Sequence, residues 1–260
     1  MKNNTTQRLY KQAELLAFWN FIKKDGLLFK DQKIENGNNL LPTGNIDYSN
    51  KGPFPGITLD GHSSYLSTSV PVLNTDKSFS IAAWVRLDSK LVKGTPILKE
   101  KEWSRTAISQ NCPTHSMFYL GVRRIEEEND GVYVRSVKWS FTIAPIDGSE
   151  SGKFDWCRAN SSTIVDENFL DKWVLLVGIL DTEERTVKLY VPSLNEIGTK
   201  KVPDGWDFWQ AKGGFQVGRS RWLGNDLDYW PGSIGPIRAY SGILTAEEIK
   251  AIYSSDLEGV

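Results

Sequence analysis

The chain has 260 residues, and its 31 Lys and Arg almost balance 32 Asp and Glu, for a formal net charge of -1. Such a balance sets up no global field toward nucleic acid or an anionic membrane, so neither is an expected partner. No apolar run approaches the roughly 20 residues of a spanning helix and residues 1–10 are polar, so neither membrane insertion nor a secretory leader within this sequence is expected; the protein is either cytoplasmic, if Met1 is the native start, or exported by a signal outside this sequence, and Met1 leaves both open.

Residues 1–12 read as a polar tail or short lead-in and 13–260 as one domain. Residues 15–21 carry apolar side chains on both faces of a period-2 pattern, as an inner strand does. Residues 23–55 are rich in Gly, Asn, Asp and Pro and form a long irregular connection. Its Asp31, Asn36, Asn38 and Asp47 are of the type that ligates a hard cation such as calcium, or that caps ordinary Asx turns. Strands follow at 57–61 and 65–67, and Phe79–Leu87 is the clearest of all, with Phe79, Ile81, Ala83, Val85 and Leu87 on one face and Ala82 and Trp84 on the other. Further strands are expected at 96–99, 106–109, 117–122, 132–134 and 137–143, with Glu126, Glu127 and Glu128 on a solvated connection.

Residues 144–168 read as a second long loop. Strands at 173–180 and 186–191 flank a hairpin loop, and shorter ones are expected at 205–209, 215–218 and 233–240, with a Trp-rich loop over 219–231. Thr245 and Glu248 form a capping box, with Leu244 and Ile249 placed for a hydrophobic staple, so a helix starts there. Many short strands and one terminal helix predict an all-β, two-sheet antiparallel sandwich or jelly roll.

Cys112 and Cys157 are either one disulfide, in an oxidising compartment, or two free thiols. With two Cys and two His in all, a zinc site is not expected. Cys112 and His115 lie close in sequence, but a nucleophilic Cys–His pair is defined by spatial geometry. A glycosidase needs two carboxylates on one face; the nearest pairs are Asp226 with Asp228 and Asp181 with Glu183, neither inside a recognisable strand. No Gly-x-Ser-x-Gly elbow exists, and the glycines at 213, 214 and 218 precede no helix that would cradle phosphate.

Ten tryptophans are the stronger signal. Trp19, Trp84, Trp139 and Trp173 lie in strand patterns and are expected in the core, whereas Trp103, Trp156, Trp206, Trp209, Trp222 and Trp230 lie in or beside loops. A flat ring stacks on the C–H face of a pyranose while polar neighbours bind its hydroxyls. Trp206, Trp209, Trp222 and Trp230, with Arg219, Arg221, Asn225, Asp226 and Asp228, are therefore the expected glycan-binding set; the alternative is that each ring caps an open end of the sandwich.

Five segments in order carry a resemblance: residues 59–66, 78–86, 173–191, 215–222 and 230–245 with the helix that follows. Together they resemble the laminin G-like, concanavalin A-like jelly-roll domains of bacteria. The resemblance implies a non-catalytic carbohydrate-binding or adhesion module recognising a glycan or polysaccharide, extracellular or at the cell surface, often with a rim calcium. Gly235-Pro236 stands where many members carry an acidic pair, which removes two calcium ligands, and residues 192–195 replace the usual Asp-Gly or Asn-Gly turn. A glycoside hydrolase or polysaccharide lyase on the same scaffold, and a protein-interaction domain with exposed aromatics, are the alternatives. Nothing in the sequence sets the oligomeric state.

Overall fold

The computed structural model describes residues 12–22, 24–25, 28–33, 37–49, 53–92, 104–129, 131–148 and 156–258. The expected strand at 96–99, Asn36 and Trp103 lie outside these. The strands in chain order are β1 (Glu14–Trp19), β2 (Lys24–Asp25), β3 (Leu28–Phe29), β4 (Leu41–Thr43), β5 (Asp47–Ser49), β6 (Gly56–Asp60), β7 (Tyr65–Ser67), β8 (Phe79–Leu87), β9 (Arg105–Asn111), β10 (Ser116–Asn129), β11 (Val132–Ile143), β12 (Cys157–Ile164), β13 (Val174–Asp181), β14 (Thr186–Val191), β15 (Glu196–Lys201), β16 (Phe215–Val217), β17 (Ser220–Trp222), β18 (Asn225–Leu227) and β19 (Pro231–Ser241). A short helix α1 (Ser89–Val92) follows β8, and α2 (Ala246–Glu258) closes the chain.

Two large antiparallel sheets result. One has eight strands in the order β15-β14-β13-β8-β19-β6-β5, with β1 also paired to β19; the other has seven, β12-β11-β10-β9-β16-β7-β4. The sandwich follows from β8, which is apolar on both faces and sits between β13 and β19. Its Phe79, Ile81, Ala83, Val85 and Leu87 enter the core between the sheets. Ala82 and Trp84 point the other way, into a second apolar cluster with Phe54, Leu244 and Ile249. Rings bridge the layers: Phe79 lies 5.3 Å from Phe118 and 6.2 Å from Phe141, and Trp19 stacks on Phe215 at 5.2 Å. The sheets approach closely at Gly178, where a Cβ would come within 2.5 Å of the Phe141 ring.

The capping box forms as expected: Glu248 N–H donates to Thr245 Oγ1 (3.2 Å) and Thr245 N–H to Glu248 Oε2 (2.8 Å). Helix α2 then docks through one carboxylate. Asp256 accepts from Trp84 Nε1 (2.8 Å) and from both terminal nitrogens of Arg238 (2.8 and 2.6 Å).

Several expectations are corrected. Glu126–Glu128 lie on β10, not on a connection, because Arg135 and Lys138 of β11 sit across the ladder and pair with Glu126 (2.8 Å) and Glu127 (2.9 Å). Residues 132–134 and 137–143 belong to one strand. The loop expected over 144–168 contains β12, whose Cys157 and Ala159 alternate inward. The polar strand β15 pairs with β14 at the sheet edge. Residues 205–209 form no strand; Trp206, Phe208 and Trp209 pack on the main core from irregular chain.

Cys112 and Cys157 are buried free thiols, not a disulfide. Burial pushes the Cys157 thiol up to about 11 and raises Cys112 as well. Neither should react with a thiol reagent at neutral pH while the protein is folded, and both should react once it is denatured. Removing Asp256 would leave Arg238, whose side chain is 15% exposed, without its partner. Asp256→Ala is therefore expected to cost about 3 kcal/mol, read as a lower urea midpoint.

Candidate functional site

In the seven-stranded sheet, β10 sends Phe118, Leu120 and Val122 into the core, and β11 sends Trp139, Phe141 and Ile143. The period of two then places Tyr119, Gly121 and Arg123, and Ser140 and Thr142, on the opposite face. Register aligns them into rows: Tyr119 faces Thr142, which faces Arg158 on β12, and Gly121 faces Ser140, which faces Asn160. The outer face of this sheet is thus polar where its inner face is aromatic.

A hairpin of β17 and β18 lies against that face. Its turn residues Leu223 (φ 50) and Gly224 (φ 79) are both left-handed, as a tight two-residue hairpin turn requires. The hairpin is tied down at its backbone. Tyr119 Oη donates to Arg221 O (2.8 Å), Ser109 Oγ to Arg219 O (2.9 Å), and Arg221 N–H to Ser116 Oγ (2.9 Å). At the tip, Gly224 N–H donates to Thr114 O (2.9 Å) and Leu223 N–H to His115 Nδ1 (3.4 Å).

Between hairpin and sheet lies a cavity of about 500 Å³. Its aromatic walls are Tyr119, Trp156 and Trp222, and its polar lining includes Ser104, Thr142, Arg123, Arg158 and Asp228. Trp156 is held by ring contacts to Tyr119 (5.4 Å) and His115 (5.6 Å), whereas Trp222 is 46% exposed at the mouth. Burial pushes the Tyr119 hydroxyl above the usual phenol range, which keeps it a donor.

Arg123 is the floor's fixed charge. It donates to Thr106 Oγ1 (2.7 Å) and Val122 O (2.9 Å), lies 3.3 Å from Asp228 Oδ2, and sits over the Tyr119 ring at 5.1 Å. Burial raises the Asp228 carboxyl, against the opposing pull of Arg123 and Arg105.

The residues expected from sequence divide sharply. Trp222 and Asp228 border the cavity. Asp226 is clamped between Arg219 and Arg221, and Arg219, buried over the Tyr65 ring at 3.3 Å, also donates to Gln216 (2.9 Å); these three brace the hairpin base. Asn225 is exposed at the turn and donates to Leu223 O (3.2 Å). Trp230 is corrected: it is fully buried in the main core, with Nε1 toward Arg86 O (3.3 Å), and a ring with no exposed face cannot stack on a sugar. Trp206 and Trp209 are half-buried against the core away from the lining, Trp209 donating to Ala144 O (3.0 Å). Sequence reasoning missed Tyr119, Thr142, Arg123 and Arg158 as site residues. Continuing the β10 alternation one step past Val122 would have put Arg123 on the Tyr119 face.

The other chemistries do not assemble. Asp228 is the one carboxylate among the described lining residues. Asp181 Oδ1 instead caps its turn, accepting from Glu183 N (3.1 Å) and Glu184 N (2.9 Å). His115 directs Nε2 to Gly148 O (3.0 Å) and Nδ1 to Leu223 N, while the Cys112 thiol lies against Gln210 O and Lys212 N, so they are not a nucleophile–base pair. Asp31 accepts from Phe18 N (3.0 Å), Lys33 N (2.9 Å) and Asn38 N (3.3 Å) as a loop cap, and Asp47 is exposed on β5. Among the described residues no group of three His, Cys, Asp or Glu is arranged to hold a metal.

The family model of the concanavalin A-like lectin/glucanases superfamily matches residues 60–250. The chain belongs to that superfamily. A search of curated proteins found no match. Among solved structures of the same fold, domain 4 of AbnA, an extracellular arabinanase from Geobacillus stearothermophilus in complex with arabinotriose, is 17% identical at a TM-score of 0.59, covering 93% of this chain and 98% of that domain. Trypanosoma rangeli sialidase in complex with sialic acid is 12% identical at 0.58, and the botulinum neurotoxin serotype C1 binding domain 14% identical at 0.55; each matches 94% of this chain. The superfamily fold here spans 33% of the sialidase chain and 52% of the neurotoxin chain.

His115 gives this site a pH dependence. Burial pushes the imidazole below its ordinary range, with Gly148 O and Asp147 opposing. The unfolded chain, titrating near ~6.5, therefore takes up the proton first. Its contribution to stability is full above about pH 6.5 and is lost as pH falls through the depressed folded value. We expect the urea midpoint to fall on acidification from about pH 7, and the slope to be shallower in His115→Gln.

Proposed function

We propose that this protein is a non-catalytic glycan-binding module whose ligand sits in the cavity under the β17–β18 hairpin. One observation carries the reading: rings from three distant segments, Tyr119, Trp156 and Trp222, surround a polar-lined cavity of about 500 Å³. That size is ordinary for a small-ligand site, and an accessible Trp beside hydroxyl and guanidinium donors is what a sugar ring with its hydroxyls requires. The arabinanase domain, which shares the fold over nearly its whole length and was solved with arabinotriose, supports the reading at the level of the scaffold.

Catalysis is the second reading, and the carboxylates weigh against it. Glycosidases that use two carboxyl groups need them about 5–9.5 Å apart across the bond. Asp228 faces Arg123 in the cavity, while Asp226 is taken up by Arg219 and Arg221. A glycan array should give hits whose affinity falls about tenfold in Trp222→Ala, roughly 1.4 kcal/mol, with Trp206→Ala unchanged. Release of reducing ends from any hit by the wild type, abolished in Asp228→Asn, would replace the binding reading with the enzymatic one.

A further inference from the structure

We propose that the floor of the cavity takes a neutral sugar residue, whose hydroxyls donate to the open oxygen of the Asp228 carboxylate. The inference rests on the binding reading above and names the ligand class and its anchor.

Asp31, Asp226 and Asp256 show how this fold fills a carboxylate that it uses structurally. Asp256 accepts from Trp84 Nε1 and from both terminal nitrogens of Arg238 (2.6 to 2.8 Å), and Asp31 accepts from the amides of Phe18, Lys33 and Asn38. Asp226 has a guanidinium on each oxygen. Asp228 is supplied far less well: Oδ2 lies 3.3 Å from Arg123 Nη1 and 3.5 Å from Ser220 Oγ, and Oδ1 takes no hydrogen bond among the described residues. That oxygen is not sealed inside the protein, and Asp228 borders the cavity. A carboxylate withdrawn from bulk water and short of donors is costly, and the raised Asp228 carboxyl reflects that cost. Hydroxyls brought in by a ligand would offset it.

The backbone holds this acceptor in place. Asp228 follows β18 in the left-handed conformation (φ 55), which costs a residue with a Cβ, and its carbonyl accepts from Thr106 N–H on β9 (2.8 Å). Arg123, itself fixed by Thr106 Oγ1 and Val122 O, occupies the Oδ2 side. Charge then selects the class of ligand. A cationic group brought to Oδ1 would be repelled by Arg123 and by the field of Arg105, which already act on the same carboxylate, and an acidic group would meet Asp228 itself. An uncharged donor meets neither objection. Sugar hydroxyls are such donors, and Tyr119, Trp156 and Trp222 on the same cavity supply apolar faces for the ring that carries them.

The test uses the full chain with arabinotriose, lactose, xylotetraose and cellotetraose as neutral probes, joined by any neutral hit from the array, and with trigalacturonate and 3′-sulfolactose as acidic ones. Calorimetry gives affinity, and the indole N–H signals of Trp156 and Trp222 report occupancy. The side-chain carboxyl carbon of Asp228, assigned by its absence from Asp228→Asn, reports the contact. We expect a neutral probe to bind and to move that carbon. Removing one of its hydroxyls, in a monodeoxy analogue, should cost about tenfold in the wild type and no more than about twofold in Asp228→Asn. Asn tolerates the left-handed backbone, a melting temperature checks that the variant folds, and comparing analogues within each protein cancels any general loosening of the site. An unmoved carboxyl carbon at saturation, or deoxy losses equal in the two proteins, would overturn the anchor and leave glycan binding standing. Tighter binding of either acidic probe than of every neutral one would overturn the neutral class. If no probe and no glycan on the array shifts either indole, the binding reading falls as well.

Discussion

Phe79 meets Phe118 and Phe141 across the gap between the sheets, and Trp19 meets Phe215 beside them. Because side chains alternate along a strand, committing one residue of β8, β10 or β11 to that aromatic seam commits every second residue to the same side. The remainder must go outward. What the outward positions hold, and what covers them, differs between the two sheets.

On the eight-stranded sheet Ala82 and Trp84 of β8 and Leu175, Val177 and Ile179 of β13 face outward and join an apolar cluster with Ile249 of α2, with Asp256 satisfying Trp84 and Arg238 in a place where neither could be left alone. On the seven-stranded sheet the outward residues include Tyr119, Arg123, Ser140 and Thr142, and a two-stranded hairpin lies over part of them. A polar face half-covered by a polar hairpin leaves a cavity with hydrogen-bonding walls, whereas an apolar face under an amphipathic helix closes. The asymmetry between the two outer faces is thus an asymmetry of covering.

Much of this could be read from the chain. The two-faced pattern of β8 declares a central strand, and the Thr245–Glu248 box declares a helix start, since both signals are complete within nine residues or fewer. Strand β12 was hidden because Ser, Asn, Arg and Thr fill most of its positions, and β15 because an exposed edge strand has no buried face to mark it. The hairpin within 219–231 was hidden for a different reason: Leu223 adopts the left-handed conformation that sequence reasoning assigns to Gly or Asn. Trp222 and Trp230 look alike in sequence, both within the Trp-rich stretch 219–231 and outside a strong strand pattern. Tertiary packing alone leaves one at the cavity mouth and the other in the core. Likewise, Asp226 and Asp228 are spaced by two, yet Asp228 has φ 55, so the strand geometry that would align them breaks between them.

Side chains brace the hairpin at its base, where Asp226 meets Arg219 and Arg221 and Asp228 meets Arg123, but strand β17 and the tip are held through the main chain. Tyr119 and Ser109 bond its carbonyls, and Ser116, Thr114 and His115 accept from its amides. Main-chain groups are the same whatever residue bears them. Trp222, Leu223 and Asn225 are therefore cargo on a fixed mount, and the identity of that cargo can drift or be exchanged with little penalty to the fold. A scaffold built this way separates the evolution of what it holds from the evolution of how it stands.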